Sequence, residues 1–236
     1  QTLLRTDRFV MRVAVAGAGR MGQAIAAGLE AQAGMELAGI WARGDDLDAL
    51  VAAADVVVDF SLPDGTLRVL DAVVRHGKPL VCGVSGLGEE HLRRIAAAAA
   101  QVPVVYDRNM SIGIAVLTRA VRDAAASLGS DFEVRIAEVH HVHKKDAPSG
   151  TALKLGEAIA AARGEQGTGS VEFESERRGE VPGEHEVILR SPTETLTLGH
   201  SVTTRQVFAD GAIRAARWVI DQPPGRYRMS DVLFGG

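Results

Sequence analysis

Five short apolar runs in the first half of the chain, each followed by a stretch with helical spacing, constrain the fold more than any other feature. The runs begin at Arg12, Met35, Asp55, Pro79 and Val102. They lack polar alternation, which is typical of strands buried on both faces, and the intervening helices allow neighbouring strands to run parallel. The pattern predicts an α/β domain built on a doubly wound parallel sheet.

The turn after the first run predicts what such a sheet binds. It has the spacing GxGxxG between a strand and a helix, and its residues are Gly17, Ala18, Gly19, Arg20, Met21 and Gly22. In a dinucleotide-binding fold of the Rossmann type, the first glycine permits the turn, the second lets the backbone approach a pyrophosphate, and the third allows close helix–strand packing. The motif therefore predicts a nucleotide site at the helix N-terminus. The alternative is a tight turn with no ligand.

The end of the second strand bears on the choice between NADH and NADPH. Folds of this type that prefer NAD usually carry an acid about 20 residues after the glycines, whereas this chain has Ala42 there, followed by Arg43. Arg43 could bind a 2′-phosphate or stack on an adenine; the alternative is a solvated surface charge. Asp45 or Asp46 could still reach a ribose. We expect NADPH to be accepted, and the sequence leaves NADH open.

The pattern changes after Asn109. A longer helix is predicted over 113–128, a strand with polar alternation from 132, and another helix over 149–163. Three further alternating strands (VEFESER, EHEVILR and TLTLGHSV) lie within 171–202, and a last helix covers 212–220. These elements predict a second α+β domain with a mixed or antiparallel sheet and a boundary near residue 110.

Composition excludes several classes of partner. The 26 basic and 30 acidic residues give a net charge of −4 and aromatic residues make up 4%, so the chain offers neither a basic field nor stacking platforms for nucleic acid. A single cysteine allows no internal disulfide, and no apolar run is long enough to span a membrane. We expect a cytoplasmic protein. Met11 is the expected natural start, and residues 1–10 are treated as an extension outside the fold.

The segment EVHHVHKKDAPSGTA concentrates the reactive side chains. Its serine is a good helix N-cap, which leaves the amides of Gly150 and Thr151 free to bind an anion. Lys144 adds a point charge, and His140 and His141 are proton donors that titrate near neutral pH. This cluster suits a small substrate that carries carboxylates and receives a proton.

Two other groups are given less reactive roles. His141 and His143 fall on one predicted strand face and could chelate a metal, but neighbouring lysines would repel a cation, so we expect no metal. Cys82 lies in the middle of the fourth strand and is expected to be a buried, inert thiol.

These motifs together resemble the 4-hydroxy-tetrahydrodipicolinate reductase family, also called dihydrodipicolinate reductase. GAGRMG, DFSLPDGT, CGVSGL, NMSIG, EVHHVHKKDAPSGTA, GEHEV and FADGAIRAARW occur in the family's order from Met11 onward. The chain departs from the family pattern in two places: the acid before Arg43 is missing, and the segment over 164–180 is shorter than in many members.

The resemblance implies roles for individual residues. His140 matches the family's proton donor and acceptor, Lys144 a second proton donor, and His141, Gly150 and Thr151 its substrate contacts. Cofactor contacts map to the GAGRMG turn, to Arg43, and to the residues Gly83, Val84, Ser85, Asp107, Arg108, Asn109 and Met110. The implied reaction uses NADPH or NADH to reduce 4-hydroxy-tetrahydrodipicolinate, with loss of water, in lysine and diaminopimelate biosynthesis.

The resemblance also implies an organisation. Residues 11–110 and 212–236 would form the dinucleotide-binding domain, and 111–211 would bind a small dicarboxylate substrate and form a homotetramer. Two alternatives stay open: another two-domain NAD(P)-dependent dehydrogenase acting on a sugar or semialdehyde, and a nucleotide sensor without catalysis. The sequence does not place Arg177, Arg178, His185 or His200.

Overall fold

A computed structural model describes residues 10–235, which form two compact units. The first contains residues 10–107 together with residues 208–235, and the second is Arg108–Val207. The predicted division at residues 110 and 212 lies a few residues beyond these boundaries. Which ligand each unit binds stays a prediction.

The strands, in chain order, are β1 Met11–Ala16, β2 Met35–Trp41, β3 Val56–Asp59, β4 Leu80–Cys82, β5 Pro103–Tyr106, β6 Glu133–His140, β7 Glu172–Arg177, β8 Glu184–Arg190, β9 Thr195–Ser201 and β10 Gly225–Tyr227. The helices are α1 Arg20–Glu30, α2 Leu47–Ala53, α3 Pro63–His76, α4 Glu89–Ala99, α5 Ile112–Leu128, α6 Gly150–Ala162, α7 Gln206–Val219 and α8 Met229–Phe234. None of the helices within residues 10–235 combines the length and apolar character needed to cross a lipid bilayer.

The first unit is built on a six-stranded sheet in the order β10-β5-β4-β3-β1-β2, with every neighbouring pair parallel. Side chains are buried on both faces, as β1 shows: Ala14 and Ala16 pack into the core with α2, α3 and α4, while Val13 and Val15 are fully buried on the opposite face. The predicted doubly wound, Rossmann-type sheet is therefore confirmed. The chain reverses its winding between β1 and β3, which is where such sheets open a crevice for ligands.

The C-terminal part of the chain differs from the prediction in two ways. Helix α7 begins at Gln206 and not at residue 212. The prediction missed its first turns because the residues buried there, Ala209 and Gly211, are small and give no apolar period. The short strand β10 was not predicted, since Gly225–Tyr227 contains no apolar run; it is identified only by its pairing with β5. Together they return the chain to the first unit, as the resemblance implied.

The second unit is a four-stranded sheet in the order β7-β6-β8-β9. The β6–β7 pair is parallel and the other two pairs are antiparallel, so the predicted mixed sheet is confirmed. Helices α5 and α6 cover one face, where Leu117, Val121 and Ile159 pack against Ile136 and Val187. The alternating burial of β6 directs every second residue from Val134 to His140 to this covered face.

Candidate active site

A cavity of about 510 Å³ opens at the carboxyl ends of β1, β2 and β3 in the first unit. It lies beside the reversal in winding, where a doubly wound sheet binds ligands. Its lining consists of the glycine turn, the end of β2 and the start of α3: Gly17, Ala18, Gly19, Trp41, Ala42, Arg43, Phe60, Ser61, Leu62, Asp64, Gly65 and Arg68. The predicted cofactor residues Gly17, Ala18, Gly19 and Arg43 are thus brought together.

The three motif glycines have different structural roles. Gly17 has φ of +107°, which favours glycine, and a Cβ at this position would lie 2.6 Å from the Phe60 carbonyl oxygen. A Cβ at Gly22 would lie 1.8 Å from the Gly17 carbonyl oxygen, so this position fixes how closely α1 packs on the turn. A Cβ at Gly19 would have no heavy atom of the described residues within 4 Å. A side chain at this position would therefore clash only with a bound ligand.

The start of α1 suits a pyrophosphate. Gly19 is the N-cap, and neither a capping side chain nor an acidic residue occupies the first turn. The first amides of a helix have no partner within the helix and favour an anion. The open space at Gly19 and these amides fit a dinucleotide.

The other predicted cofactor residues lie outside this cavity. Gly83, Val84 and Ser85 follow β4, and the Phe60 ring packs directly on Gly83, where a Cβ would lie 2.3 Å from the Phe60 Cζ. The buried Asp107 carboxylate accepts a hydrogen bond from the Met229 amide at 3.3 Å, which joins β5 to the start of α8.

The segment after Asp107 belongs to the second unit, and Asn109 contacts the predicted substrate site there. The Asn109 side-chain amide donates to the Thr151 hydroxyl at 3.0 Å, and its carbonyl oxygen accepts from the Ser111 amide at 2.8 Å. Met110 is buried. Arg108, predicted as a cofactor contact, begins this unit. Asn109 and Thr151, assigned to different ligands by the resemblance, are therefore neighbours.

Glu138 is the centre of the second unit's polar cluster, and sequence reasoning missed it. Its side chain is fully buried. Its carboxylate accepts hydrogen bonds from His140 Nδ1, from Arg177 at 3.0 Å and from the Ser149 amide at 3.3 Å. The signal was in the sequence, because Glu138 is in phase with Val134 and Ile136 on a strand face that must be buried.

The charge of Glu138 is maintained by these partners. Burial raises the pKa of a carboxyl group, but hydrogen bonds from Arg177, Ser175 and His140 outweigh that effect and lower the pKa of Glu138 below its usual value. Glu138 is therefore a carboxylate at neutral pH and can only accept hydrogen bonds. It follows that His140 Nδ1 carries the proton that the pair shares.

His140 consequently directs its other nitrogen away from Glu138. Burial lowers the pKa of His140, while the Glu138 carboxylate raises it, and the net result is a pKa below the ordinary histidine value. A Cβ at Gly183 would lie 3.1 Å from His140 Nε2, so the glycine leaves space at that nitrogen. The Nε2 atom is the one that can exchange a proton with a ligand.

His185, which the sequence did not place, packs against His140. The two rings meet edge to face with centroids 5.1 Å apart, and His185 Nε2 lies 3.2 Å from the Ser149 hydroxyl. Burial and the nearby His140 lower the pKa of His185 to about 3, so it stays neutral and polar without adding charge. His185 pairs across the sheet with Glu138 and also with His200.

The remaining unplaced residues have structural contacts. The His200 Nε2 lies 3.4 Å from the hydroxyl of Ser111, the residue that caps α5, and burial lowers the pKa of His200. Arg178 is exposed and pairs with Glu176 and Glu184 on the surface. Of Arg177, Arg178 and His200, only Arg177 bonds to Glu138.

Arg177 also holds the loop that carries Lys144. Besides Glu138, its guanidinium donates to the carbonyl oxygens of Lys144, at 3.2 Å, and Asp146. The Lys144 ammonium pairs with the Asp146 carboxylate at 2.8 Å, and three-quarters of its side chain is covered. Burial raises the pKa of Asp146, but the hydrogen bond from Lys144 outweighs this effect and lowers it.

Helix α6 begins beside these groups. Ser149 is its N-cap and accepts from the Ala152 amide at 3.1 Å, as predicted, and no acidic residue occupies the first turn. The first helical residues are Gly150 and Thr151, whose amides have no acceptor within the helix. Lys144 and this helix N-terminus together favour an anion, and the Asp146 carboxylate, which also accepts a backbone hydrogen bond from Gly150, already contacts both.

The predicted strand position of His141 and His143 is wrong. Strand β6 ends at His140, and both residues lie in the turn that follows. His143 is exposed and pairs with Glu180 at 3.3 Å, while His141 is half-buried. Among residues 10–235, no three His, Cys, Asp or Glu side chains gather closely enough to hold a metal ion.

Comparison with protein families gives two matches that follow each other along the chain. Residues 11–110 match the model described as "Dihydrodipicolinate reductase, N-terminus", and residues 113–233 match "Dihydrodipicolinate reductase, C-terminus". This chain belongs to the dihydrodipicolinate reductase family. The resemblance stated from its motifs is thereby confirmed.

Individual relatives agree with the family assignment. The 4-hydroxy-tetrahydrodipicolinate reductase of Zymomonas mobilis is 40% identical, with 93% of this chain and 95% of the relative covered. That of Caulobacter vibrioides is 42% identical, with 94% and 97% covered.

Solved structures share the fold. A dipicolinate-bound dihydrodipicolinate reductase from Paenisporosarcina superposes with a TM-score of 0.81 at 23% identity, covering 95% of this chain and all of that one. A DAP dehydrogenase from C. glutamicum superposes with a TM-score of 0.61 at 14% identity, covering 94% of each chain. The two-unit architecture is therefore common to several dehydrogenases, and the family assignment rests on the sequence matches.

Proposed function

We propose that this family member reduces 4-hydroxy-tetrahydrodipicolinate to tetrahydrodipicolinate, with loss of water, in lysine and diaminopimelate biosynthesis. Its family makes it an NAD(P)H-dependent oxidoreductase. The observation that carries the proposal is the buried Glu138–His140 pair beside Lys144 and the N-terminus of α6. That arrangement offers a proton and an anion site to one small molecule.

The first unit is proposed to hold the cofactor, with the glycine turn and the amides of α1 against the pyrophosphate. The bound reduced nicotinamide supplies the hydride. Residues Gly83, Val84, Ser85, Asp107, Arg108, Asn109 and Met110 are proposed as contacts nearer the nicotinamide. We favour NADPH over NADH, because Ala42 offers no carboxylate to ribose hydroxyls and Arg43 lines the cavity.

His140 is proposed to transfer the proton that reduction requires. As electron density moves toward the ring nitrogen of the substrate, the imidazolium form of His140 donates its Nε2 proton and becomes a neutral imidazole whose Nδ1–H stays bonded to Glu138. The carboxylate of Glu138 stabilises the imidazolium and fixes the direction of the ring. Lys144 is proposed as the second proton donor.

The substrate's carboxylates are proposed to bind Lys144, His141 and the amides of Gly150 and Thr151. The Asp146 carboxylate pairs with the Lys144 ammonium. A substrate carboxylate would take over part of that interaction. Because most of the Lys144 side chain is covered, the new contact is less screened by water than one on an open surface.

A coupled assay tests the proposed reaction. 4-Hydroxy-tetrahydrodipicolinate is generated in situ by its synthase, and the absorbance of NADPH or NADH is followed after addition of the protein. We expect oxidation of the cofactor that depends on the synthase. Turnover on a sugar or semialdehyde but not on this substrate would favour another dehydrogenase, and cofactor binding without any turnover would favour a sensor.

The second unit is further proposed to assemble a homotetramer. Helices α5 and α6 cover only one face of its sheet. The opposite face carries Ala137 on β6, Glu186 and Ile188 on β8, and Thr197 and Gly199 on β9, with Ala137, Glu186 and Gly199 in register. Size-exclusion chromatography with light scattering should give a mass four times that of one chain. A mass equal to that of one chain would contradict the proposal.

We also propose that the protein acts in the cytoplasm. The single cysteine, Cys82, is a buried free thiol, which is compatible with a reducing compartment. Cell fractionation with detection of the tagged protein tests this assignment, and recovery from an exported fraction would contradict it.

A further inference from the structure

The rim of the nucleotide cavity carries two guanidinium groups, and the sequence singled out only one of them. Arg43 follows β2, and Arg68 lies on α3; both line the cavity and both are exposed. Among residues 10–235, neither forms an ion pair with a carboxylate within 4 Å. Both charges are therefore available to an anionic ligand.

Arg68 is held in place by stacking. Its guanidinium carbon lies 4.9 Å from the centroid of the Trp41 ring, within the range of a cation–π contact. The indole is itself fixed, because Trp41 is buried and its Nε1 donates to the Asp45 carbonyl oxygen at 3.2 Å. Gly65, one turn earlier on α3, lets the helix approach closely, since a Cβ there would lie 3.3 Å from the Trp41 ring.

The two acids that could have bound a ribose are engaged elsewhere. Asp45 accepts a hydrogen bond from the Ala42 amide at 2.9 Å, which closes the turn after β2. Asp46 is the N-cap of α2 and accepts from the Ala49 amide at 3.0 Å. Neither lines the cavity. The end of β2 thus offers positive charge in place of the acid that recognises a ribose 2′-hydroxyl.

We propose that Arg68, stacked on Trp41, is a specificity-determining residue that binds the 2′-phosphate of NADPH together with Arg43. The proposal rests on the proposed function and names how its cofactor is chosen. A phosphate accepts paired hydrogen bonds from the planar guanidinium, and a stacked guanidinium loses less conformational freedom when it binds.

One carboxylate in the cavity lining opposes this assignment. Asp64 lines the same cavity and lies four residues before Arg68 on α3. Its charge would repel a 2′-phosphate and would suit a ribose hydroxyl instead. Within this cavity two guanidinium groups face one carboxylate. The aspartates on the other side of Arg68, which are Asp45, Asp46, Asp48 and Asp71, line a separate depression, so the charge of the cavity lining itself favours the phosphate. Removal of the Asp64 charge, as in Asp64→Asn, should therefore strengthen binding of the phosphate.

The test uses nucleotide fragments that differ by one phosphate. Calorimetric titration of the full chain with 2′,5′-ADP and with 5′-AMP isolates the 2′-phosphate from the nicotinamide and from turnover. For Arg68→Gln, we expect the affinity for 2′,5′-ADP to fall about 10- to 100-fold, the usual effect of losing a charge-assisted hydrogen bond. The affinity for 5′-AMP should change much less.

Matched variants separate charge from stability. Arg75→Gln is the control, because Arg75 lies two turns further along α3, pairs with Asp48 and does not line the cavity. It should leave both affinities unchanged. Arg68→Lys, which keeps the charge but loses the planar fork and the stacking surface, should give an intermediate affinity for 2′,5′-ADP.

Three results would overturn the proposal. Equal losses for both fragments in Arg68→Gln would mean that Arg68 only supports the adenine. No loss for either would mean that Arg68 does not contact the nucleotide. If the unaltered chain binds neither fragment, the nucleotide-binding function itself fails, and this outcome is distinct because it appears without any substitution.

Discussion

The two candidate binding regions use different parts of the polypeptide. In the first unit, the glycine turn and the N-terminus of α1 offer backbone amides and the absence of side chains. In the second unit, the Glu138–His140–Arg177 cluster offers buried side-chain charges that depend on one another. In the first region, backbone amides and the space beside the glycines would accommodate a nucleotide. In the second region, buried partners maintain the protonation states of Glu138 and His140.

This difference determines how each region can fail. At Gly17 and Gly22 an added methyl group would clash with rigid backbone, whereas at Gly19 it would meet only a bound ligand. The buried cluster is damaged by a change from glutamate to glutamine, which keeps the shape of the side chain. The change removes the negative charge that the buried partners of the glutamate need. The predictions below test this contrast, starting with the largest expected effect.

His140→Ala should lower kcat about 10²- to 10⁴-fold, because a positioned proton donor contributes about that much. Nucleotide affinity should be unchanged, since the glycine turn belongs to the other unit. Steady-state kinetics and NADPH titration measure the two quantities. His143→Ala is the matched control: His143 is exposed and forms a surface pair with Glu180, so its loss should leave turnover near normal. Equal turnover in both variants would remove His140 from the proposed role.

Two alanine substitutions in the glycine turn should separate folding from binding. Gly22→Ala places a Cβ 1.8 Å from the Gly17 carbonyl oxygen, and we expect a loss of about 1–3 kcal/mol in the free energy of unfolding together with weaker nucleotide binding. Gly19→Ala has free space and a φ of −76°, so stability should be kept while nucleotide binding weakens. Thermal unfolding and titration measure both; a Gly19→Ala variant that binds normally would contradict the phosphate site at α1.

Glu138→Gln should lower kcat about 10- to 100-fold, as expected for the loss of a hydrogen bond to a charged group. It should also change the pH profile. The carboxylate raises the pKa of His140, and glutamine cannot, so the pKa of His140 should fall further below its usual value. The protonated fraction is then smaller at each pH, and the decline of kcat/KM with rising pH should begin at a lower pH.

The control for Glu138→Gln is Glu176→Gln, an exposed glutamate of the adjacent strand that pairs with Arg178. It should leave both the rate and the profile unchanged. Thermal unfolding of each variant corrects for the stability lost when Arg177 loses its buried partner. A reduced rate with an unshifted profile would show that Glu138 supports the fold and does not tune His140.

Lys144→Ala should reduce kcat/KM roughly tenfold, because its partly covered charge is proposed to contact a substrate carboxylate. KM should rise and kcat should fall together. Lys145→Ala, at the exposed neighbouring position, is the matched control and should have little effect. If the two variants behave alike, the anion site does not include Lys144.

The sequence by itself determined the features that arise within one element or one turn. The apolar runs predicted the parallel sheet, since strands buried on both faces need no polar alternation. The GxGxxG spacing predicted the backbone site, because only glycine permits these contacts between neighbouring turns. The motif around His140 identified the second region and the family.

The tertiary structure decided which side chains meet. Strand pairing places Glu138 opposite His185, and Arg177 opposite His140, although these residues lie tens of positions apart in the sequence. Packing of α3 beside the end of β2 also brings Arg68 onto Trp41, whereas Asp45 and Asp46 are engaged locally, in a turn and a helix cap. Sequence periodicity records which face of an element is buried, but the partner on that face depends on strand register and helix packing, which only the folded chain fixes.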